Sequence, residues 1–160
     1  NDAPVITTAT IPINEGDTLI LSTENINATD PDNGSDQLTF TVSNVVNGGF
    51  KLDGAATTTF TLLDIQEDKI SFVHDDFENA PSADIVVADS NGVTSNTVAI
   101  SFTFTPVNDA PILSGGTSTV NYTEQGPSVN IASGISVTDP DTDIVSASIT
   151  ITPYDTDKDK

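Results

Sequence analysis

The sequence predicts an all-β chain built of β-sandwich units in tandem, and three observations carry that prediction. Apolar and polar residues alternate over short stretches, as on strands with one buried face. Clusters of Asn, Asp, Gly and Ser punctuate those stretches. Three landmarks then recur, in one order, at a domain-sized period.

The alternation is clearest in Val98-Ala99-Ile100-Ser101-Phe102-Thr103-Phe104, where Val98, Ile100, Phe102 and Phe104 share a face of one predicted strand. Leu38-Thr39-Phe40-Thr41-Val42 alternates in the same way, and further strands are predicted over Thr18 to Leu21, Thr58 to Leu62, Lys69 to Val73 and Ala83 to Ala88. Turns are predicted at Asp32-Asn33-Gly34, Asn47-Gly48-Gly49, Asp53-Gly54 and Ser90-Asn91-Gly92. About seven short strands in about 100 residues make a sandwich. Helix is scarce: the segment from Leu63 to Asp68 suits a single turn. Phe40, Phe72, Phe102 and Phe104 read as core, whereas Phe50 and Phe77 lie near loops. In the second unit, strands are predicted over Val120 to Tyr122, Val129 to Ile131 and Val145 to Ile151.

The repeat sets the domain organisation. Asn1-Asp2-Ala3-Pro4 returns 107 residues on as Asn108-Asp109-Ala110-Pro111, and Thr29-Asp30-Pro31-Asp32 returns 109 residues on as Thr138-Asp139-Pro140-Asp141. Between them lie matching acids, Glu15 and Glu124. Such a period far exceeds the 20–50 residues of solenoid repeats. The expected layout is a complete sandwich over 1–107, then a linker and the N-terminal half of a second over 108–160. Half a sandwich leaves open edges and an uncovered apolar face. Truncation of a longer protein accounts for it, as does completion by a strand from another chain.

The charge narrows the function classes. The 24 acids outnumber the 4 Lys and Arg, for a formal net charge of -20. Nucleic-acid phosphates and anionic membrane surfaces would be repelled, and counter-cations are expected. No apolar run is long enough to span a membrane. Without cysteine there is no disulfide framework and no thiolate site. A disulfide-free, acidic, Thr/Asn/Asp-rich β chain fits a secreted bacterial surface protein, and its opening in mid-pattern reads as an excerpt of something longer.

Enzyme chemistry is not predicted and no catalytic residue is assigned. His74 is the only histidine, it stands between a strand and a run of acids, and no nucleophile motif accompanies it. Its predicted role is structural or metal-adjacent. Paired carboxylates could serve a glycosidase, but the chain has no Trp and two Tyr to line a sugar cleft.

The acids gather in loops near the inferred domain ends: Glu15, Asp30 with Asp32, Asp75 with Asp76, Asp89, and Asn108 with Asp109. Calcium takes six to eight oxygens from carboxylates, amides and carbonyls, and separated loops can supply them. The competing reading is a solvated acidic surface. Repetition of the acids in register, beside Asn-Asp-Ala-Pro linkers, weighs against it. No loop has the EF-hand spacing, so a site must be assembled from several segments.

This pattern resembles cadherin-type repeats. In those, an early Glu, a mid-domain acidic motif, an Asn-Asp linker and an Asp-x-Asp of the next repeat share calcium at the junction. The resemblance implies a Greek-key, cadherin/Ig-like sandwich, with Glu15, Asp75, Asp76, Asn108, Asp109, Asp139 and Asp141 at one junction. It implies Asn1, Asp2, Asp30, Asp32 and Asp89 at an N-terminal junction. The stretches Phe60-Thr61-Leu62-Leu63-Asp64-Ile65 and Lys69-Ile70-Ser71-Phe72-Val73-His74-Asp75-Asp76 resemble the narrower chondroitin-sulfate-proteoglycan type of repeat. The chain departs from the fuller cadherin pattern in a linker one acid short, and in His74-Asp75-Asp76-Phe77-Glu78 where an Asp-Arg-Glu triplet would stand. Fewer or weaker ions per junction follow. The implied function is a calcium-stiffened stalk or spacer of an extracellular adhesin, its partners being adjacent repeats or neighbouring copies. A filament subunit completed by strand addition, and an adhesin domain that binds a cell-surface protein or glycan, are the alternatives.

Overall fold

A computed structural model describes residues 1–116, 121, 123, 125–130 and 134–149 of the 160. The chain divides into two compact units, Asn1–Val107 and Asn108–Lys160.

The first unit holds eleven strands: β1 (Val5–Asn14), β2 (Thr18–Ile20), β3 (Ile26–Thr29), β4 (Thr39–Val46), β5 (Gly48–Leu52), β6 (Ala55–Ala56), β7 (Thr59–Thr61), β8 (Ile70–His74), β9 (Ser82–Ala88), β10 (Val98–Ala99) and β11 (Ser101–Thr105). Two antiparallel four-stranded sheets, ordered β2-β8-β5-β6 and β10-β9-β4-β7, form the layers of a sandwich. Most neighbours in each sheet are distant in sequence, as Greek-key crossovers require. β1 joins a third set: its first half pairs antiparallel with β3, and Thr10 to Asn14 pair parallel with β11. This is an all-β sandwich.

Alternation builds the core. In β8 the burial pattern places Ile70, Phe72 and His74 inward, and in β9 Ala83, Ile85 and Val87. Phe40, Val42, Phe50 and Phe60 belong to the same core. A chain of ring contacts runs from Phe40 through Phe60 and Phe50 to Phe72 and Phe102, with centroids 5.0–5.9 Å apart. Each buried phenyl ring contributes about 1.5–3 kcal/mol by leaving water. Phe50 belongs to this core, while Phe77 is exposed.

Local chemistry closes the connections. Asp53 and Gly54 both have positive φ and join β5 to β6 in a two-residue hairpin, the conformation an Asp-Gly pair favours. The helical turn is α1 (Leu62–Gln66), capped by Thr61, whose hydroxyl accepts the Asp64 N–H while the Asp64 carboxylate accepts from the Thr61 N–H and hydroxyl. Partial burial pushes the Asp64 carboxyl up, but the Thr61 bonds and the Lys69 charge outweigh it and hold the group below its usual range.

The predicted strand from Val98 to Phe104 is two strands in different sheets. β10 pairs with β9, the Ile100 N–H donates to the Ala83 carbonyl, and β11 then leaves to pair with β1. Side-chain alternation continues through that switch, so the pattern alone does not reveal it. Gly48 and Gly49, predicted as turn residues, open β5. A Cβ at Gly48 would fall 2.5 Å from the Phe72 ring, so glycine lets the strand close on the core there.

The described strands of the second unit are β12 (Ile112–Ser114) and β13 (Ser136–Thr138), an antiparallel pair. Ile112 faces Thr138, as Val5 faces Thr29 in the first unit. Residues 145–149 carry no strand. In the first unit the matching stretch, β4, is held by β7 and β9, for which the described residues of the second unit offer no counterpart. Val120, Tyr122, Glu124, Ile131, Thr150 and Ile151 lie outside the described residues.

Candidate metal-binding clusters

Two acidic clusters occupy loops of the first unit. The first is built on the Asp30-Pro31-Asp32-Asn33 turn, the Asp89-Ser90-Asn91-Gly92 turn and the segment Asn1-Asp2. Asp30 Oδ1 accepts the N–H groups of Asp32 and Asn33 at 2.8 and 2.9 Å, so the carboxylate folds the turn around itself. Asp89 is buried and acts likewise: its Oδ1 accepts the Asn91 and Val93 N–H groups, both at 2.8 Å. The segment then fastens on. The Asn1 side-chain amide donates to Asp89 Oδ2 at 2.6 Å, the Asp2 N–H donates to Asp32 Oδ2 at 2.7 Å, and the Asn91 amide donates to Asn1 Oδ1 at 2.5 Å. The Asn1 amide, helped by the Val93, Asn91 and Gly92 backbone against partial desolvation, holds the Asp89 carboxyl below its usual range.

Asn33 joins this cluster, though it was expected only to make a turn. Its amide donates to Ser90 Oγ at 2.8 Å and ties the two loops together. Asp30 Oδ2 and Asn33 Oδ1 are buried with no hydrogen-bond partner among the described residues. Buried oxygens without donors are costly and suit a cation. Asp30, Asp32 and Asp89 do not form a trio of oxygens all within 4.8 Å of one another among the described residues. Backbone N–H groups of Asp2 and Asp32 and the side-chain amide of Asn1 link them instead.

The second cluster gathers around Glu15, at the end of β1. Glu15 is only 6% exposed. Its Oε2 accepts the Val107 N–H at 2.9 Å, while Oε1 is buried with no partner among the described residues. An oxygen of Glu78 lies within 4.8 Å of one of Glu15. Two carboxylates that close, one of them deeply buried, repel unless a cation lies between them. Asp76 has φ near +66 and its Oδ1 lies over Gly16, where a Cβ would fall 2.3 Å from it. Gly16, at φ +67, supplies both the turn and that clearance. Asp75 and Asp76 are both exposed, and Asp75 Oδ1 lies 3.8 Å from His74 Nδ1. Glu78 stood in the acidic motif read from the sequence but was not assigned as a ligand. Its position two residues after Asp76 was the available signal.

The second unit repeats the first unit's turn. The Asp109 N–H donates to Asp141 Oδ2 at 2.5 Å, and Asp139 Oδ1 accepts the Asp141 and Thr142 N–H groups, both at 3.0 Å. These bonds match those of Asp2, Asp30 and Asp32 in kind and order. The Asn108 amide donates to the Asp109 carbonyl at 2.8 Å.

A sequence profile described as cadherin-like matches residues 4–105, and the chain belongs to that family. No curated protein and no solved structure matches it. No helix among the described residues is long and apolar enough to cross a membrane.

Proposed function

We infer that this member of the cadherin-like family is a calcium-stabilised structural module of an extracellular, adhesive repeat array. The observation that carries the inference is Glu15: a buried carboxylate with one oxygen unpartnered and a second carboxylate, Glu78, beside it. The donor set suits calcium, because every group on offer is an oxygen and the nearby His74 has both ring nitrogens in hydrogen-bond contact with the backbone. Glu15, Asp76 and Glu78, with Asp75 at the edge, would hold an ion at one end of the first unit. Asp30, Asp32, Asn33 and Asp89, with Asn1 and Asp2, would hold one at the other. In the second unit Asn108, Asp109, Asp139 and Asp141 are the equivalent groups, which supports reading that unit as part of a second repeat. A bound ion neutralises facing carboxylates. The chain's own part is to converge them and to fasten the flanking segment to the loops.

Binding only the folded state would add stability and remove bending freedom from the linkers. Cadherin-like domains are typically extracellular and non-enzymatic, which supports a surface location and a mechanical role. The absence of cysteine and the acidity favour a bacterial surface protein.

Thermal unfolding in millimolar calcium, then in excess chelator with magnesium held constant, tests the reading. For a dissociation constant of about 10⁻⁴–10⁻³ M and 10 mM calcium, each site adds about 1.4–2.7 kcal/mol. The midpoint then rises by roughly 5–15 °C. Coincident transitions with and without calcium would reduce the acids to a solvated surface.

A second reading, a filament subunit, draws on the second unit. Ile112, Leu113, Val145 and Ile149 are all exposed there. A strand from a neighbouring copy would cover them. Sedimentation over a range of concentrations separates the readings, since polymers are expected only of the filament.

A further inference from the structure

We propose that His74 is a positioning residue for the Glu15 cluster, an imidazole that locks the loop bearing Asp76 and Glu78 onto the turn after Glu15. The proposal takes its ligand from the calcium reading above, but its geometric core stands without calcium.

His74 ends β8 and is only 3% exposed. Nδ1 lies 3.3 Å from the Gly16 nitrogen and 3.3 Å from the Asp76 nitrogen. Both are backbone N–H donors, so Nδ1 carries no proton and accepts from two loops at once. Nε2 lies 3.1 Å from the Asn79 carbonyl, which can only accept, so the proton sits on Nε2. With Nδ1 as an acceptor, Asp75 at 3.8 Å is a neighbour of the ring and not its ion-pair partner. The ring stacks on Phe104 at 4.8 Å, which fixes its plane.

These contacts define a brace. Nδ1 fixes the backbone at Gly16, next to Glu15, and at Asp76. Nε2 fixes it at Asn79, next to Glu78. The ligand-bearing residues are thus flanked by bonds to one rigid ring. Asp76 needs such support, because its left-handed backbone is uncommon for a residue with a Cβ. The loops also interlock sterically, with the Asp76 carboxylate lying over the bare Cα of Gly16. An imidazole suits the task because it presents one acceptor and one donor on a flat body that packs. Both nitrogens are engaged by the backbone, so His74 acts on an ion only through the groups it places.

Two measurements on the full chain test this. In the first, imidazole ¹⁵N shifts at neutral pH should show a bare Nδ1 and a protonated Nε2. A ring protonated on Nδ1 would overturn the proposal, whatever the variants do. In the second, calcium is titrated into the ¹⁵N-labelled wild type, His74→Phe and His74→Gln, following Gly16 and Asp76 at one end and Asp32, Asn33 and Asn91 at the other. His74→Phe keeps the packing and removes both polar contacts. It should weaken binding reported by Gly16 and Asp76 about tenfold or more, as loss of a ligand-orienting group does, and leave the other end unchanged. His74→Gln, which retains an acceptor and a donor, should recover most of that loss. Unchanged binding in His74→Phe, or equal weakening at both ends, would overturn the proposal alone. A wild-type chain with no saturable shifts at either end would overturn the calcium reading together with the role proposed here.

Discussion

Asp89 and Glu15, at the two acidic ends of the first unit, solve one electrostatic problem in opposite ways. Asp89 is met by amides: it accepts from the Asn91 and Val93 backbone N–H groups and from the Asn1 side-chain amide. Around Glu15, one oxygen is satisfied by Val107, the other is buried without a partner, and Glu78 adds like charge. Charge-assisted bonds to amides stabilise the folded state by themselves. A buried, half-satisfied carboxylate beside another destabilises it until a cation arrives. Acids that look alike in sequence therefore differ: Asp89 is already satisfied by amides, while Glu15 and the unpartnered oxygen of Asp30 are, on the proposed reading, left for metal.

Removing a carboxylate should then have opposite consequences at the two ends. The largest effect is expected for Asp89→Ala, which leaves two amide donors and the Asn1 side chain without their acceptor. Its midpoint in chelator should fall by on the order of 10 °C. A midpoint within a degree or two of wild type would show that the amide bonds carry little. Glu15→Gln keeps an acceptor for Val107 and removes the repulsion with Glu78. Its midpoint in chelator should rise by about 5 °C, while its calcium increment shrinks by roughly half. A fall in chelator with the increment intact would erase the contrast between the ends.

The smallest effect is on the pH axis. Asp89 and Asp64 are both held below the ordinary carboxylate value in the fold. The unfolded chain therefore takes up protons first as pH falls. Their contribution is full above the unfolded value of about 3.9 and is lost as pH drops through the folded one. Stability in chelator should be flat near neutrality and decline below about pH 4, with a shallower decline in Asp89→Asn. A decline that begins near neutrality would place the controlling group elsewhere.

Strands that alternate and keep one partner sheet were legible in the sequence, as β4, β8 and β9 show. β1 was not, because its Thr-rich first half is only partly buried and its two halves pair with different strands. β5 was hidden by Gly48 and Gly49, whose turn-like composition serves close packing against Phe72. The switch at Ile100 left no trace in the pattern. At the clusters, the acids themselves were visible as repeated motifs. What each acid meets was not, since the contrast between Asp89 and Glu15 lies in amides and carbonyls that every residue carries. Asn33 and Glu78 owe their places to loop conformation, and His74 owes its brace to two turns distant in sequence.

The most direct test of the account is isothermal titration of calcium into the chelator-stripped chain, repeated with magnesium. The account predicts saturable calcium binding with a dissociation constant of about 10⁻⁴–10⁻³ M. Magnesium, which demands a tighter octahedral shell, should bind far more weakly. No heat beyond dilution at several millimolar calcium, or equal response to both ions, would contradict it.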